Sequence, residues 1–194
     1  FLSYRLGFIL GVYHLSAFLI TPPHRNLTMF DYSPEYAFDG VVDLWFNKRM
    51  PDQYKAEVIS IYESFNLEVN VVAKKDAEVR LLNKKRDLVP DNRSVNGIFF
   101  TPKDIHRPNP VAKIWFNYHK ARLQPIRNVW LTHHEIGHAF GLDHAFDLDV
   151  SETVMNYPQL FEWSQSSTAM RLTPRDRDLI TGILCKGTTT KEDN

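Results

Sequence analysis

The sequence contains one cysteine, Cys185, among its 194 residues. A single thiol excludes an intrachain disulfide, so covalent cross-links within the chain play no part in holding the fold. A chain of this length can bury enough apolar surface to be stable without disulfides. The lone cysteine therefore indicates neither an oxidising nor a reducing compartment.

The sequence also has no excess of positive or negative charge. Lysine plus arginine and aspartate plus glutamate each number 23, so the formal net charge is zero. Proteins that bind nucleic acid usually present a basic surface, and a balanced chain argues against nucleic acid as the main partner. With 43% hydrophobic and 13% aromatic residues, the composition is typical of one globular domain with a substantial core.

Charged side chains are absent from positions 6–24. Residues 1–20 are apolar apart from one arginine, His14 and a few small polar residues. One positive charge followed by an apolar run is typical of a signal peptide or a signal anchor. The run has no A-x-A cleavage site and is short for a membrane span, so an amphipathic helix packed on the domain or on a partner is the alternative. We expect residues 1–39 to be an N-terminal extension of a secreted or membrane-tethered protein, with membrane contact only if residues 1–20 form an anchor.

The motif HEIGHAFGLDH concentrates three histidines on a short stretch of chain. Apolar and helix-forming residues before and within it predict an amphipathic helix over residues 128–141. His134 and His138 are four positions apart, so a helix places both rings on one face. Gly141 suits the left-handed conformation that commonly ends a helix, and the chain can then return to bring in His144.

Three neutral imidazoles fill three corners of a tetrahedral zinc ion and leave the fourth open, which is typical of catalytic rather than structural sites. Glu135 stands beside the first ligand and is not needed as one, so it can take a proton from a water on the open corner. His133 cannot shift the ligand register, because the residue four positions later is Gly137. We expect His133 to be solvated or to support the site from outside the ligand set. The motif predicts one catalytic zinc ion held by the three histidines, with Glu135 as the general base.

The motif, followed by TVMNY at residues 153–157, resembles the metzincin clan of zinc endopeptidases. The resemblance implies that Met155 lies on a tight turn beneath the metal ion. It also implies that Tyr157 either ligates zinc weakly or stabilises the transition state, as in the serralysin and astacin branches. The GLDH ending and the last helix are most similar to the matrixin branch, so the branch stays open.

Hydrophobic periodicity predicts five strands and two further helices besides the one that carries the histidines. The predicted strands are residues 41–46, 67–71, 77–81, 97–101 and 113–118. The predicted helices are residues 51–65, with Pro51 in the first turn, and a last helix with Thr173 as N-cap, Pro174 as first residue and Gly187 at its end. Strands separated by a helix require a crossover connection and hence some parallel pairing.

The resemblance implies an α+β fold, in which a five-stranded mixed twisted sheet packs on two long helices and a C-terminal helix. An active-site cleft would lie between an upper and a lower subdomain. We place the catalytic domain at residues 40–187 and a polar tail at residues 188–194. In this clan the edge strand borders the cleft and pairs with an extended substrate, and residues 97–101 take that position by their order in the chain.

The function implied is that of a zinc-dependent metalloendopeptidase, acting as a monomer on a peptide or protein bound in extended form. A catalytically silent zinc-bearing binding module of the same fold is the alternative. In a third interpretation, residues 1–39 block the cleft. Matrixins also carry calcium and a second zinc, but their ligand pattern is not visible here. The acidic loop with Asp147, Asp149 and Glu152 is expected to be solvated rather than to bind calcium.

Two further segments carry expectations. The basic cluster Lys84-Lys85-Arg86 lies in the polar segment 83–96, which contains a proline and is typical of a surface loop. Such clusters usually form a solvated face, and we expect that here rather than a binding patch. Residues 158–168 are rich in aromatics, which the resemblance places along a substrate pocket and which fit a core equally well.

Overall fold

The computed structural model describes residues 34, 36–89, 96–101, 111–119, 125–146, 148–149, 151–156 and 171–189. Several sequence predictions lie outside these residues: the apolar segment 1–20 and most of the N-terminal extension, Asp147, Tyr157, the aromatic segment 158–168 and residues 190–194.

The described chain contains four helices and five strands. In order they are α1 (Tyr36–Asp39), β1 (Val41–Phe46), α2 (Asp52–Glu63), β2 (Glu68–Val71), β3 (Val79–Asn83), β4 (Gly97–Phe100), β5 (Ala112–Phe116), α3 (Pro125–Ala139) and α4 (Pro174–Thr189). Each predicted strand and helix is therefore present, within a few residues of its expected position.

The strands form one mixed five-stranded sheet in the order β2-β1-β3-β5-β4. Strand β1 pairs in parallel with β2 and β3, and β3 pairs in parallel with β5. Strand β4 is antiparallel to β5 and lies at the edge, with Ile98 opposite Trp115. The predicted α+β class, the mixed sheet and the edge position of residues 97–100 are confirmed.

One face of the sheet and the helices α2 and α3 enclose the apolar core. Alternate residues of the inner strands point to this face, because side chains alternate along a strand. Those residues are almost fully buried: Val42, Leu44, Val79, Leu81, Ala112, Ile114 and Phe116. The helices contribute Tyr54, Val58, Ile61, Tyr62, Leu131 and Ile136. This packing holds α3, and the histidines on it, against the sheet near its β4 edge.

Helix α1 was not predicted. It occupies residues that we placed in the N-terminal extension, yet it packs against α4 and leads directly into β1. Ala37 on this turn is 3% exposed. The packed structure therefore begins before residue 40.

Three predicted helix boundaries differ from the structure. Helix α3 begins at Pro125 rather than at residue 128. Pro51 is the N-cap of α2 rather than a residue of its first turn. Helix α4 continues to Thr189, past Gly187, where we expected it to end. Glycine permits the left-handed end of a helix without imposing it, so a glycine alone does not determine the last residue.

Within the described residues, no helix combines the length and the apolar composition needed to cross a membrane.

Candidate metal centre

His134 and His138 lie one turn apart on α3 and are each oriented by a backbone carbonyl. Nδ1 of His134 lies 2.7 Å from the carbonyl oxygen of Val154, and Nδ1 of His138 lies 2.7 Å from that of Leu142. A carbonyl oxygen only accepts hydrogen bonds, so each Nδ1 carries the proton and donates. Nε2 is then the nitrogen that carries the lone pair on both rings.

The C-terminal end of α3 turns the chain so that His144 reaches the same place. Gly141 has a positive φ of 96°. The Leu142 amide donates to the Gly137 carbonyl at 3.0 Å, and the Gly141 amide donates to the His138 carbonyl at 3.0 Å. This pair of bonds defines a Schellman motif, in which glycine adopts the left-handed conformation at no steric cost. The predicted role of Gly141 is confirmed.

The three rings converge on one point. Nε2 of His144 lies 3.2 Å from Nε2 of His138 and 3.2 Å from Nε2 of His134. All three candidate ligand atoms lie within 4.8 Å of one another. Nitrogens held 2.0–2.1 Å from a tetrahedral zinc ion are separated by about 3.3 Å, which matches these spacings. The cluster can therefore hold a metal ion, and its donor set of three neutral imidazoles suits one.

Glu135 is buried beside this cluster and is 4% exposed. Within the described part of the chain, its Oε2 has no hydrogen-bond partner. Burial raises the pKa of Glu135 to about 8, because desolvation disfavours the charged carboxylate. A buried carboxyl oxygen without a partner is costly in a folded protein, so a ligand or a water is expected to face it.

The edge strand β4 packs directly on Glu135. A Cβ added to Gly97, the first residue of β4, would overlap Oε1 of Glu135 and the Leu131 side chain. Two residues further along β4, the ring of Phe99 stacks on the ring of His138, with centroids 6.2 Å apart. Glycine at position 97 thus lets the edge strand approach both the carboxylate and a candidate ligand. No local pattern in the sequence indicates this role for Gly97, since the contact depends on tertiary packing.

Met155 lies against the turn of α3 that separates the two histidines. Its side chain is fully buried. A Cβ added to Gly137 would lie 2.6 Å from Sδ of Met155, so only glycine leaves room for the sulfur there. The structure thus places Met155 next to the histidine cluster, with no polar atom capable of acid or base chemistry.

Asp176, in the first turn of α4, fixes the loop before Met155. Its carboxylate is fully buried and accepts hydrogen bonds from the Thr153 hydroxyl at 2.6 Å and from the Val154 amide at 3.0 Å. It also accepts from the Thr173 amide at 2.9 Å, which completes a capping box at the start of α4. Because the Val154 carbonyl accepts from His134, Asp176 positions that ring through the loop. The sequence showed the capping pattern, but it did not show this long-range contact.

His133 is buried rather than solvated, which decides between the two expectations for it. It is 2% exposed, and its Nδ1 accepts a hydrogen bond of 3.2 Å from the Leu172 amide. Its Nε2 therefore carries the proton and donates to Oε1 of Glu57 at 2.8 Å. Burial lowers the pKa of His133, which keeps the ring neutral. Arg171 also donates to Oε1 of Glu57 at 3.1 Å, so this network ties α3 to α2 and to the segment that opens α4.

The described loops around the cluster carry three further carboxylates, those of Asp143, Asp149 and Glu152. Oδ1 of Asp143 accepts from the backbone amide of His144 at 2.7 Å, which helps to hold the third histidine. Asp149 accepts from the amide and the hydroxyl of Ser151, and Glu152 accepts from the Asp149 amide. In the described residues, both carboxylates thus accept hydrogen bonds from within the turn at residues 149–152.

No protein-family model matches the sequence, and no curated protein matches it either. A comparison with solved structures finds matching chains, among them the crystal structure of myroilysin. The match has a TM-score of 0.48 and 11% sequence identity, and it covers 75% of this chain and 83% of that one. The assignment of the site rests on the residues and contacts described above.

Proposed function

We propose that this protein is a zinc-dependent metalloendopeptidase of the metzincin type. The observation that carries the proposal is the convergence of three imidazoles beside a buried carboxylate, with Nε2 of His144 3.2 Å from Nε2 of both His134 and His138. Three protein ligands are the number that leaves a coordination position open for catalysis. Zinc, when bound by His134, His138 and His144, supplies a Lewis acid and lowers the pKa of its bound water.

Glu135 is the proposed general base. Oε2 accepts a proton from the attacking water and later returns it to the amine of the leaving group. Burial raises the pKa of Glu135, whereas a zinc ion beside it would favour the charged carboxylate, which is the form that accepts a proton from water. Backbone carbonyls orient the rings, Asp176 holds one of them through its loop, and Met155 fills the apolar side of the cluster.

The edge strand β4 is the proposed substrate-binding strand. In the described sheet, β4 pairs with β5 along one edge, and its other edge can pair with an extended peptide. Gly97 and Phe99 bring this strand to Glu135 and His138. We further propose that Tyr157, outside the described residues, donates a hydrogen bond to the negatively charged oxygen that forms on the scissile carbonyl.

The decisive experiment replaces Glu135 with glutamine, which preserves the size of the side chain. The Glu135→Gln variant is expected to keep one zinc per chain and to lose about 10²- to 10⁴-fold in kcat on a quenched peptide. Zinc content is measured by mass spectrometry and cleavage by fluorescence. The matched control is Glu63→Gln, at an exposed position at the end of α2, which should cleave like the parent.

Two outcomes would contradict the proposal. If Glu135→Gln cleaves as fast as the parent, Glu135 is not the base. If the parent protein holds zinc but cleaves nothing in a broad peptide library, the alternative of a silent zinc-bearing binding module of the same fold replaces it. A parent chain that becomes active only after deletion of residues 1–39 would support the interpretation in which this extension blocks the cleft.

The remaining aspects of function are proposed on sequence alone. The apolar composition of residues 1–20 supports secretion or membrane tethering, and we propose that the enzyme acts as a monomer.

A further inference from the structure

A cleft of about 570 Å³ opens beside the carboxyl ends of β3 and β5, on the face of the sheet that points away from the core. Its lining includes four cationic side chains, from Arg49 and from the run Lys84–Arg86, and one carboxylate, from Asp87. The indole of Trp115 forms an apolar wall. We call this feature the basic cleft. Its three excess positive charges are notable in a chain whose formal net charge is zero.

The four cations of the basic cleft line one concave surface. Among the described residues, neither Arg49 nor any of the residues Lys84–Arg86 forms an ion pair. Like charges at close range repel one another and raise the local positive potential. Lys85 and Arg86 are exposed, as expected for a solvated face, and a concave surface of this charge attracts anions.

Buried amides fix the two loops that carry these cations. Asn83, which is 1% exposed, donates from its side chain to the Arg49 carbonyl at 2.9 Å. The Asn83 amide donates to Oδ1 of Asn47 at 3.1 Å, and Nδ2 of Asn47 donates back to the Asn83 carbonyl at 3.2 Å. Nδ2 of Asn117 donates to the Arg86 carbonyl at 3.2 Å. The backbone on both sides of the cleft is thus ordered before any ligand arrives, which lowers the entropic cost of binding.

Aromatic packing connects the basic cleft to the edge strand. Nζ of Lys84 lies 4.2 Å from the centre of the Trp115 ring, and the Trp115 ring packs on Phe100 of β4 with centroids 4.6 Å apart. Ile98 is the strand partner of Trp115, so the cleft lies toward the Gly97 end of β4, the end that contacts Glu135. Ile98 and Phe100 thus connect the edge strand, on which we propose that a polypeptide pairs, to the Trp115 wall of the cleft.

We propose that the basic cleft binds a carboxylate-rich segment of the polypeptide that the metal centre cleaves. The proposal rests on the proposed function, because the edge strand selects a polypeptide through backbone hydrogen bonds. Carboxylates are the complementary anions in such a chain, and lysine and arginine form charge-assisted hydrogen bonds with them. The preferred substrate class is therefore a protein with an acidic segment flanking the scissile bond.

A binding measurement tests the cleft independently of catalysis. Fluorescein-labelled oligoglutamate and oligoglutamine of equal length are titrated with the protein at low ionic strength, and anisotropy is recorded. Oligoglutamate should bind more tightly, and the double variant Lys85→Gln/Arg86→Gln should weaken it about fivefold. The control Lys75→Gln/Lys186→Gln removes the same charge at exposed positions outside the cleft and should bind like the parent.

A cleavage measurement tests whether the cleft serves the metal centre. Two quenched peptides share one cleavable core and differ only in glutamate or glutamine flanks. The parent should cleave the glutamate-flanked peptide with the lower KM, and the Lys85→Gln/Arg86→Gln variant should remove that difference while kcat stays unchanged. A parent that cleaves neither peptide contradicts the proposed function, while the anisotropy measurement still decides the cleft.

Three results would overturn the inference. Equal binding of oligoglutamate and oligoglutamine would show that the cleft does not recognise carboxylates. An equal loss of binding in the control variant would assign the effect to overall charge. Tighter binding of a sulfated oligosaccharide or an oligonucleotide than of oligoglutamate would assign the cleft to another class of macromolecule.

Discussion

At the scale of single residues, Asp176 shows how a group remote from the histidines controls one of them. Its carboxylate is fully buried and accepts hydrogen bonds from the Thr153 hydroxyl and from the Val154 and Thr173 amides. Val154 in turn accepts from Nδ1 of His134. Partners of this kind orient metal-binding imidazoles and tune their basicity.

The Asp176→Asn variant is expected to lower both stability and metal affinity. One carboxylate oxygen becomes an NH₂ group facing N–H or O–H donors, so at least one buried hydrogen bond is lost, at a cost of about 1–3 kcal/mol. Zinc affinity should fall about 10- to 100-fold, because His134 is less well held. Urea denaturation and competition with a chelating dye measure the two effects. The control is Asp178→Asn, two positions along α4 and exposed, and equal effects in both variants would contradict the role of Asp176.

His133 shows what a residue-level interpretation misses. Its neighbours in the chain indicate only that it is not a ligand, because Gly137 follows four positions later. Its partners Glu57 and Leu172 are 76 and 39 positions away. The tautomer and the burial of His133 therefore follow from contacts that no local pattern contains.

At the scale of elements, α3 both places two histidines on one face and leaves room for the Met155 side chain between them. Its spacing places His134 and His138 on one face, and its glycine at position 137 gives Met155 room between them. Glycine in the middle of a helix normally costs about 1 kcal/mol relative to alanine. Its presence here is explained by the contact with the sulfur.

Replacement of Gly137 with alanine is therefore expected to destabilise the protein, against the usual helix propensity. The new methyl group would lie 2.6 Å from Sδ of Met155, and such overpacking typically costs about 1–3 kcal/mol. The matched control is Gly182→Ala in α4, where an added Cβ would have nothing within 4 Å. This variant should raise the free energy of unfolding by about 0.5–1 kcal/mol. Urea denaturation of both variants measures the difference, and a stabilised Gly137→Ala protein would contradict the packing argument.

Element types were predicted well and their ends less well. Strand β1 has the predicted bounds, since the run Val41–Phe46 is apolar apart from one aspartate and is mostly β-branched or aromatic. Helix α4 begins as predicted, because Thr173 and Asp176 form a local capping box. It extends to Thr189, two residues past Gly187. Glycine is compatible both with ending a helix and with continuing it, so Gly187 alone did not predict the last residue.

At the scale of the whole molecule, the histidine cluster joins parts of the chain that are distant in sequence. Helix α3 and its return loop supply the rings, the loop at residues 153–155 supplies a carbonyl and the methionine, and α4 holds that loop through Asp176. A ligand that binds the folded state alone stabilises it in proportion to the logarithm of its concentration over Kd. Metal binding should therefore stabilise the entire domain.

Removal of the metal is expected to lower the melting temperature. At a zinc concentration of about 1,000 times Kd, binding contributes about 4 kcal/mol, which corresponds to roughly 10 °C for a protein of this size. Scanning calorimetry with zinc, with a chelator and after zinc is restored measures the change. The His144→Ala variant serves as the control, because its melting temperature should respond far less to the chelator. An unchanged melting temperature of the parent would contradict a metal site.

The sequence by itself determined the features that depend on neighbours along the chain. The four-residue spacing of His134 and His138, the left-handed turn at Gly141 and the order of strands and helices all follow from local geometry, which a short stretch of residues can specify. Only the tertiary structure decided which distant groups surround them. The contact of Gly97 with Glu135, the hold of Asp176 on Val154 and the meeting of Arg49 with Lys84–Arg86 in the basic cleft each join segments many residues apart. Such contacts depend on how the sheet and helices pack together, because burial and shape complementarity, and not position in the sequence, select the partners.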